Sequence, residues 1–235
     1  MFNGKMKAVT FSYDDGITQD RKLVSILDRY GLKATFNINS GVLGTSGALY
    51  WNDYTISHVK PRACEVEKIY KGHEIAVHTL THPSLKTLPD EEVIRQVEED
   101  RVRLSELAGY DVVGMAYPGG TGCMDERVVR LIRENTGVRY ARTTTSTENF
   151  DTQTDLLRFD PTVYHLCGWG KLYSLAEEFL AMKPETPKLF YIWGHAYEFD
   201  FRDDWNRFED FCRFISGKDD IFYGTNKEVL LDTDN

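Results

Sequence analysis

Ala8-Val-Thr-Phe-Ser-Tyr13, then Asp14-Asp15-Gly16, then Gln19 to Tyr30, then Lys33-Ala-Thr-Phe-Asn-Ile38: this stretch decides the fold. Its apolar and β-branched runs predict strands at Ala8 to Tyr13 and Lys33 to Ile38, and helical periodicity predicts a helix between them that Gly31 closes. Strand, crossover helix and strand make a βαβ unit, so the two strands should be parallel. The rhythm continues with helices over Pro61 to Lys71 (ended by Gly72) and Pro89 to Ala108 (capped by Gly109), and with strands over Glu74 to Val77 and Val112 to Tyr117. Further on, helices are predicted at Glu126 to Asn135, Leu172 to Met182 and Trp205 to Ile215, and strands at Val138 to Thr143, Lys188 to Trp193 and Ile221 to Tyr223. About seven strands alternating with helices read as the α/β class, a parallel barrel or open sheet, in one domain over residues 1–235. Ser40 to Ser57 and Thr144 to Trp169 break the rhythm and are expected to be binding loops. In the Pro89 to Ala108 helix, Val93, Ile94, Val97, Leu104, Leu107 and Ala108 share one face, and Glu91, Glu92, Glu98, Glu99 and Asp100 are expected on a solvated acidic face.

Composition narrows the function. With 13 Tyr, 13 Phe and 4 Trp in 235 residues the chain has ample surface to bury, which excludes a disordered protein. A net charge of −9 without a cluster of basic residues argues against a nucleic-acid surface, where phosphates demand a basic stripe. No run approaches ~18 uncharged apolar residues, so no membrane span is expected. Met1 to Lys7 leads into a strand without an apolar signal-peptide core, and the expectation is a cytoplasmic protein unless a leader has been trimmed. Cys64, Cys123, Cys167 and Cys212 are widely spaced and include no CxxC, so they are read as reduced side chains, not as a zinc knuckle. The partner expected is a small molecule or a neutral polymer.

The polar residues past the predicted strand ends are Asp14 and Asp15, then His78 and His82, then Tyr117 to Gly120, then Arg142 and His195. In barrels that rim builds the active site. Each residue alone has an ordinary reading, a turn carboxylate or a packed histidine, but two acids and three of six histidines on one rim converge. His78 and His82, four apart on a helical turn that Pro83 should keep single and tight, can ligate one cation, with Asp15 as the third ligand. Such an ion lowers the pKa of its water toward ~7 and so makes hydroxide available at neutral pH. Asp14 can then accept a proton and His195 donate one.

The set FSYDDG (Phe11 to Gly16), HTLTHP (His78 to Pro83), AYPGG (Ala116 to Gly120) and WGH (Trp193 to His195) resembles the polysaccharide deacetylase family, carbohydrate esterase family four, from about Lys7 to Phe199. The resemblance implies an irregular (β/α) barrel of about seven units. It also implies Asp14 as general base, Asp15, His78 and His82 as metal ligands, His195 as general acid, the Gly119 N–H at the oxyanion, and Trp193 where the family has a Leu lining the acetyl pocket. Tyr117 and Arg142 join Gly119 and Trp193 as expected substrate-binding residues. Two departures stand out. Ala116 occupies the place of the arginine that pairs with the base, and the Asp-Trp pair of the fourth motif is absent from Tyr140 to Asp160. Arg142, near the end of the next strand, is expected to supply the missing cation to Asp14.

The leading reading is a metal-dependent hydrolase in which metal-bound water removes an acyl group, N-acetyl first, from a sugar or oligosaccharide. Asp-His-His suits zinc, with cobalt, manganese or nickel as alternatives. Hydrolysis of small cyclic amides, imides or ureides on the same scaffold is the second reading, and a glycan-binding pseudoenzyme the third.

Overall fold

A computed structural model describes residues 2–51 and 54–231. Strand β1 (Lys7–Asp15), helix α1 (Asp20–Arg29) and β2 (Ala34–Ile38) form the expected opening unit. A hairpin of β3 (Ala48–Trp51) and β4 (Tyr54–Ser57) follows, then α2 (Val66–Ile69), β5 (Glu74–Val77), α3 (Asp90–Ala108), β6 (Gly114–Ala116), α4 (Glu126–Asn135) and β7 (Tyr140–Arg142). The chain continues through β8 (Val163–Tyr164), α5 (Trp169–Ala181), β9 (Lys188–Gly194), α6 (Glu198–Arg202), α7 (Trp205–Ile215), β10 (Ile221–Tyr223) and α8 (Asn226–Leu230).

The main sheet runs β7-β6-β5-β2-β1-β9-β8, every pairing parallel, with β10 beside the start of β1. One segment joins its two edges. Phe159 bridges to Arg142 of β7, and Val163 and Tyr164 pair with β9, so the sheet curls into an irregular (β/α) barrel. Alternation along β1 assigns its two faces. Val9, Phe11 and Tyr13 join the main apolar core with α1 and α7, whereas Thr10, Ser12 and Asp14 meet polar partners in the barrel: Asn226, Asn37 and Arg142. A parallel sheet covered on both sides explains why all nine residues of β1 are buried.

Three expectations are corrected. The helix over Pro61 to Lys71 shrinks to a 3-10 turn at Ala63–Glu65 and the single turn of α2, because Tyr70 turns inward to donate its hydroxyl to buried Asp20 (2.7 Å). Ser40 to Ser57 is no plain loop but holds the β3–β4 hairpin, and the Thr144 to Trp169 stretch holds β8. Asp100 does not lie on a solvated face. It is fully buried, and its two oxygens accept the backbone N–H groups of Ser40 (2.7 Å) and His78 (3.1 Å).

Candidate active site

The last residue of β1 and the turn after β5 bring Asp15, His78 and His82 together at the C-terminal rim. The His78 and His82 Nε2 atoms lie 3.9 and 3.7 Å from Asp15 Oδ1. The candidate ligand atoms all lie within 4.8 Å of one another, close enough that a modest closure would bring them onto one small ion. The donor set, two imidazoles and one carboxylate, fits a divalent transition ion. His78 Nδ1 lies 2.8 Å from the Ala116 carbonyl. A carbonyl only accepts, so Nδ1 carries the proton and Nε2 turns its lone pair to the site. Burial lowers the His78 pKa to about 4 despite nearby Asp14 and Asp15, which keeps the imidazole neutral and ready to ligate.

The turn itself departs from expectation, for His78 to His82 is not helical. Thr79 and His82 take left-handed φ values of +65° and +62°, and Asp15 takes +80°. Among the described residues these are three of seven non-glycine positions with positive φ. Each costs about 1–3 kcal/mol, and their concentration at one triad marks a place where geometry is imposed by surroundings. Those surroundings are α3 and Asn39: Asp100 holds the His78 N–H, Gln96 accepts from Leu80 N and Thr81 N, and Asn39 Nδ2 donates to the His78 and Thr79 carbonyls. Gln96 and Asp100 are four apart and so face the turn together.

Asp14 points the other way, into the barrel. Its Oδ1 accepts from Asn37 Nδ2 at 2.8 Å, and Arg142 Nη2 donates to Oδ1 and Oδ2 at 2.6 and 2.5 Å. Arg142 and Ala116 are cross-strand neighbours in the β6–β7 register. The cation therefore comes from the strand next to the one on which the resemblance leads one to expect it. Arg142 is fully buried, with Nη1 donating to the Thr143 carbonyl (2.8 Å) and Nε to Ser12 Oγ (3.3 Å). Burial alone would raise the Asp14 carboxyl, but Arg142, then His78 and His195, outweigh it and hold the group below its usual range. Trp193 lies over the Arg142 guanidinium, 4.5 Å from ring centroid to Cζ, and stacks on Tyr164. It shields the ion pair.

His195 follows β9 with its Nε2 4.0 Å from Asp14 Oδ2. Glu198 is the functional neighbour that the sequence reading passed over. Its Oε1 lies 3.2 Å from His195 Nδ1 and accepts from the Tyr164 hydroxyl, while Oε2 accepts from the His195 N–H (3.0 Å) and sits 2.6 Å from buried His165 Nε2. Burial would depress the His195 pKa, but Glu198, with Asp14 and Asp15 behind it, raises it to about 9. The spacing His195-Ala-Tyr-Glu198 carried the signal, an acid one helical turn from a rim histidine. His58 and Lys60 were also missed: His58 Nε2 lies 3.2 Å from Asp15 Oδ2, and Lys60 Nζ donates to the Asp15 carbonyl.

These groups line an open cleft of about 600 Å³ that includes Asp15, His58, His82, Gly119 and His195. Gly119 is left-handed at φ +66°, and a Cβ there would come within 2.6 Å of Cys123 Sγ, so only glycine fits. Tyr117 is not in this cleft. Ala116 faces inward beside Arg142, so Tyr117 faces outward, buried, with its hydroxyl on the Leu157 carbonyl (2.9 Å). Arg142 and Trp193, expected to contact substrate, are likewise buried behind the cleft.

Known proteins are similar to this chain in sequence or in fold. Chitin deacetylase 1 of Cryptococcus neoformans var. grubii is 27% identical over 159 residues, which is 67% of this chain and 29% of that protein. The chain thus spans less than a third of the length of this relative. A family 4 acetyl xylan esterase from Clostridium thermocellum, solved in complex with a cobalt ion, matches 96% of this chain and 91% of its own at 14% identity and a TM-score of 0.56. A family 4 pseudoenzyme from Bacillus anthracis matches 95% of this chain and 65% of its own at 15% identity and a TM-score of 0.54. At such identities the two structures establish the fold alone. Residues 3–141, more than half of the sequence and including Asp14, Asp15, His78, His82 and Gly119, match the polysaccharide deacetylase family, and the chain belongs to that family.

Proposed function

We propose that the chain removes an acetyl group from the amide nitrogen of a sugar by hydrolysis, with one divalent transition ion, zinc first, held by Asp15, His78 and His82. The observation that carries this reading is the buried Asp14–Arg142 pair beside the triad with His195 4.0 Å away, an ionised base and a charged acid within reach of one bond. The ion, when bound, supplies Lewis acidity and a lowered water pKa. Asp14, kept anionic by Arg142, takes the proton of the attacking water as its oxygen bonds to the acetyl carbon. Gly119 lines the cleft, and its backbone N–H is assigned to hold the carbonyl oxygen as it gains charge. His195 Nδ1 faces Glu198, so Nε2 carries the proton that passes to the departing nitrogen as the C–N bond breaks. Acetate and a free amine result.

Incubation with N-acetylglucosamine oligomers, O-acetylated xylan and cyclic imides tests the reading. Acetate release with appearance of a primary amine is expected from the first. Ring opening of imides without acetate would favour the second hydrolase reading, and glycan binding without any turnover the pseudoenzyme.

The role of Glu198 gives a pH prediction. An acid must be protonated to act, so activity falls as pH rises through the His195 pKa, about 9. Glu198→Gln removes the foremost of the groups that raise the His195 pKa against burial and leaves only Asp14 and Asp15 to oppose it, so the pKa falls. The alkaline limb of the kcat profile should therefore move down. An unmoved limb assigns that limb to another group.

A further inference from the structure

Asp15 is gripped from outside the triad by two residues whose contacts no step of the reaction uses. His58 Nε2 lies 3.2 Å from Asp15 Oδ2, and Lys60 Nζ donates to the Asp15 carbonyl while standing 3.9 Å from Oδ1. An ionised carboxylate only accepts, so the His58 ring donates through its Nε2–H. The two carboxylate oxygens are thereby divided. Oδ2 faces His58, and Oδ1 faces His78 and His82 at 3.9 and 3.7 Å. Without such a partner an aspartate turns easily about its last torsion, which is broad and two-fold.

The hairpin holds His58 in its turn. Beyond β3 and β4 the two arms stay paired: the His58 N–H donates to the Gly47 carbonyl (2.9 Å), the Lys60 N–H to the Thr45 carbonyl (2.9 Å) and the Gly44 N–H to the Pro61 carbonyl (2.8 Å). The Val59 carbonyl accepts from the Thr18 N–H (2.9 Å), which ties this arm to the turn that follows Asp15. The His58 imidazole makes a T-shaped contact with Tyr197, 5.5 Å between centroids, and its side chain is only 20% exposed. It is a fixed donor in a built setting.

We propose that His58 is a positioning residue of the metal centre: its N–H occupies Asp15 Oδ2, so that Asp15 offers the ion one oxygen, Oδ1, on the side of both imidazoles. The inference rests on the reading of Asp15, His78 and His82 as metal ligands. Lys60 serves the same end through the backbone, since Asp15 keeps its left-handed conformation (φ +80°) only where partners fix the adjoining peptide. Orienting partners of this kind govern how tightly a site binds its ion and in what shape. A role as ligand does not suit His58. Among the described residues, the donor atoms close to one another belong to Asp15, His78 and His82, and His58 is outside that group. The hairpin thus takes part in metal binding without contributing a ligand.

The test compares His58→Leu, which fills the space without a donor, with His58→Gln, whose amide N–H reaches a similar place. Each protein is stripped with a chelator, checked for native circular dichroism and titrated with Zn²⁺ against a chromophoric competitor. His58→Leu should bind Zn²⁺ about 10- to 100-fold more weakly than the wild type, and His58→Gln should recover most of that loss. With Co²⁺ in place of Zn²⁺, the visible spectrum of His58→Leu should change in position and intensity, because the released carboxylate is free to turn its second oxygen to the ion. A histidine that merely supports the fold would leave that spectrum unmoved. Should His58→Leu fail to fold, His58→Asn, whose shorter amide leaves Oδ2 unserved, gives the same readings. Wild-type affinity and spectrum in the variant without the donor overturn the inference and leave the triad standing. Binding by His58→Gln as weak as that of His58→Leu also overturns it and makes His58 a ligand. A wild type that takes up no ion sinks the metal reading itself, and the role of His58 with it.

Discussion

Asp14→Asn should retain one bound ion per chain and lose about 100-fold or more in kcat, the usual scale for removal of a general base. The two adjacent acids differ because β1 alternates. Asp14 points into the barrel toward Asn37 and Arg142, while Asp15, turned by its left-handed backbone, faces His78 and His82. The amide keeps the shape and an oxygen to accept from Arg142 and Asn37, so the site's geometry should be retained, at some cost in stability from the buried guanidinium left without its anion, and the loss of rate should fall on the chemical step. Metal analysis beside single-turnover kinetics reads the two effects apart. A variant that lost its ion but retained full turnover per remaining ion would exchange the roles of Asp14 and Asp15.

Arg142→Met should have the largest effect on stability. It leaves a buried carboxylate without its cation, a change that costs about 3–5 kcal/mol when one partner of a buried pair is removed. It also removes the donor to the Thr143 carbonyl and one of the two donors to the Ser12 hydroxyl, which keeps Asn37. Urea denaturation followed by fluorescence measures the loss. The sign with pH is fixed. Because the folded Asp14 carboxyl lies below its ordinary value, the pair stabilises the protein above the unfolded pKa of ~3.9 and the contribution fades as pH falls further, so the gap between variant and wild type should narrow in acid. In the folded variant the carboxyl pKa rises, and the acidic limb of the rate profile should move upward. Arg142→Lys should rescue little, since one ammonium cannot reach Asp14, Ser12 and Thr143 from a single position. A variant as stable as the wild type with an unmoved acidic limb would leave the base without an assigned partner.

How far the sequence could be read depends on the range of the interaction. Alternation of periodicities is local, so β1, α1, β2, β5 and the helices α3, α4 and α7 stand where the pattern puts them. The rim histidines and acids follow from strand ends, and the reach of Arg142 to Asp14 from beside Ala116 follows from two neighbouring parallel strands. Tyr117 was misplaced because one residue along a strand reverses the face, and the pattern did not fix which face was inward. Asp100 sits among acidic residues on a helix that looks solvated, and only the fold reveals the turn it holds. The β3–β4 hairpin is hidden because its strands cover a cleft, not a core, and so lack a clean apolar alternation. Glu198 was overlooked for another reason: its one-turn spacing from His195 becomes a signal only once α6 is known to begin there.

Metal binding tests the central claim most directly. Protein stripped with a chelator should take up one Zn²⁺ per chain in a calorimetric titration, and Asp15→Ala, His78→Ala and His82→Ala should each abolish tight binding while Asp14→Asn retains it. Full uptake by both histidine variants would contradict the assignment of the triad and, with it, the hydrolysis built on that site.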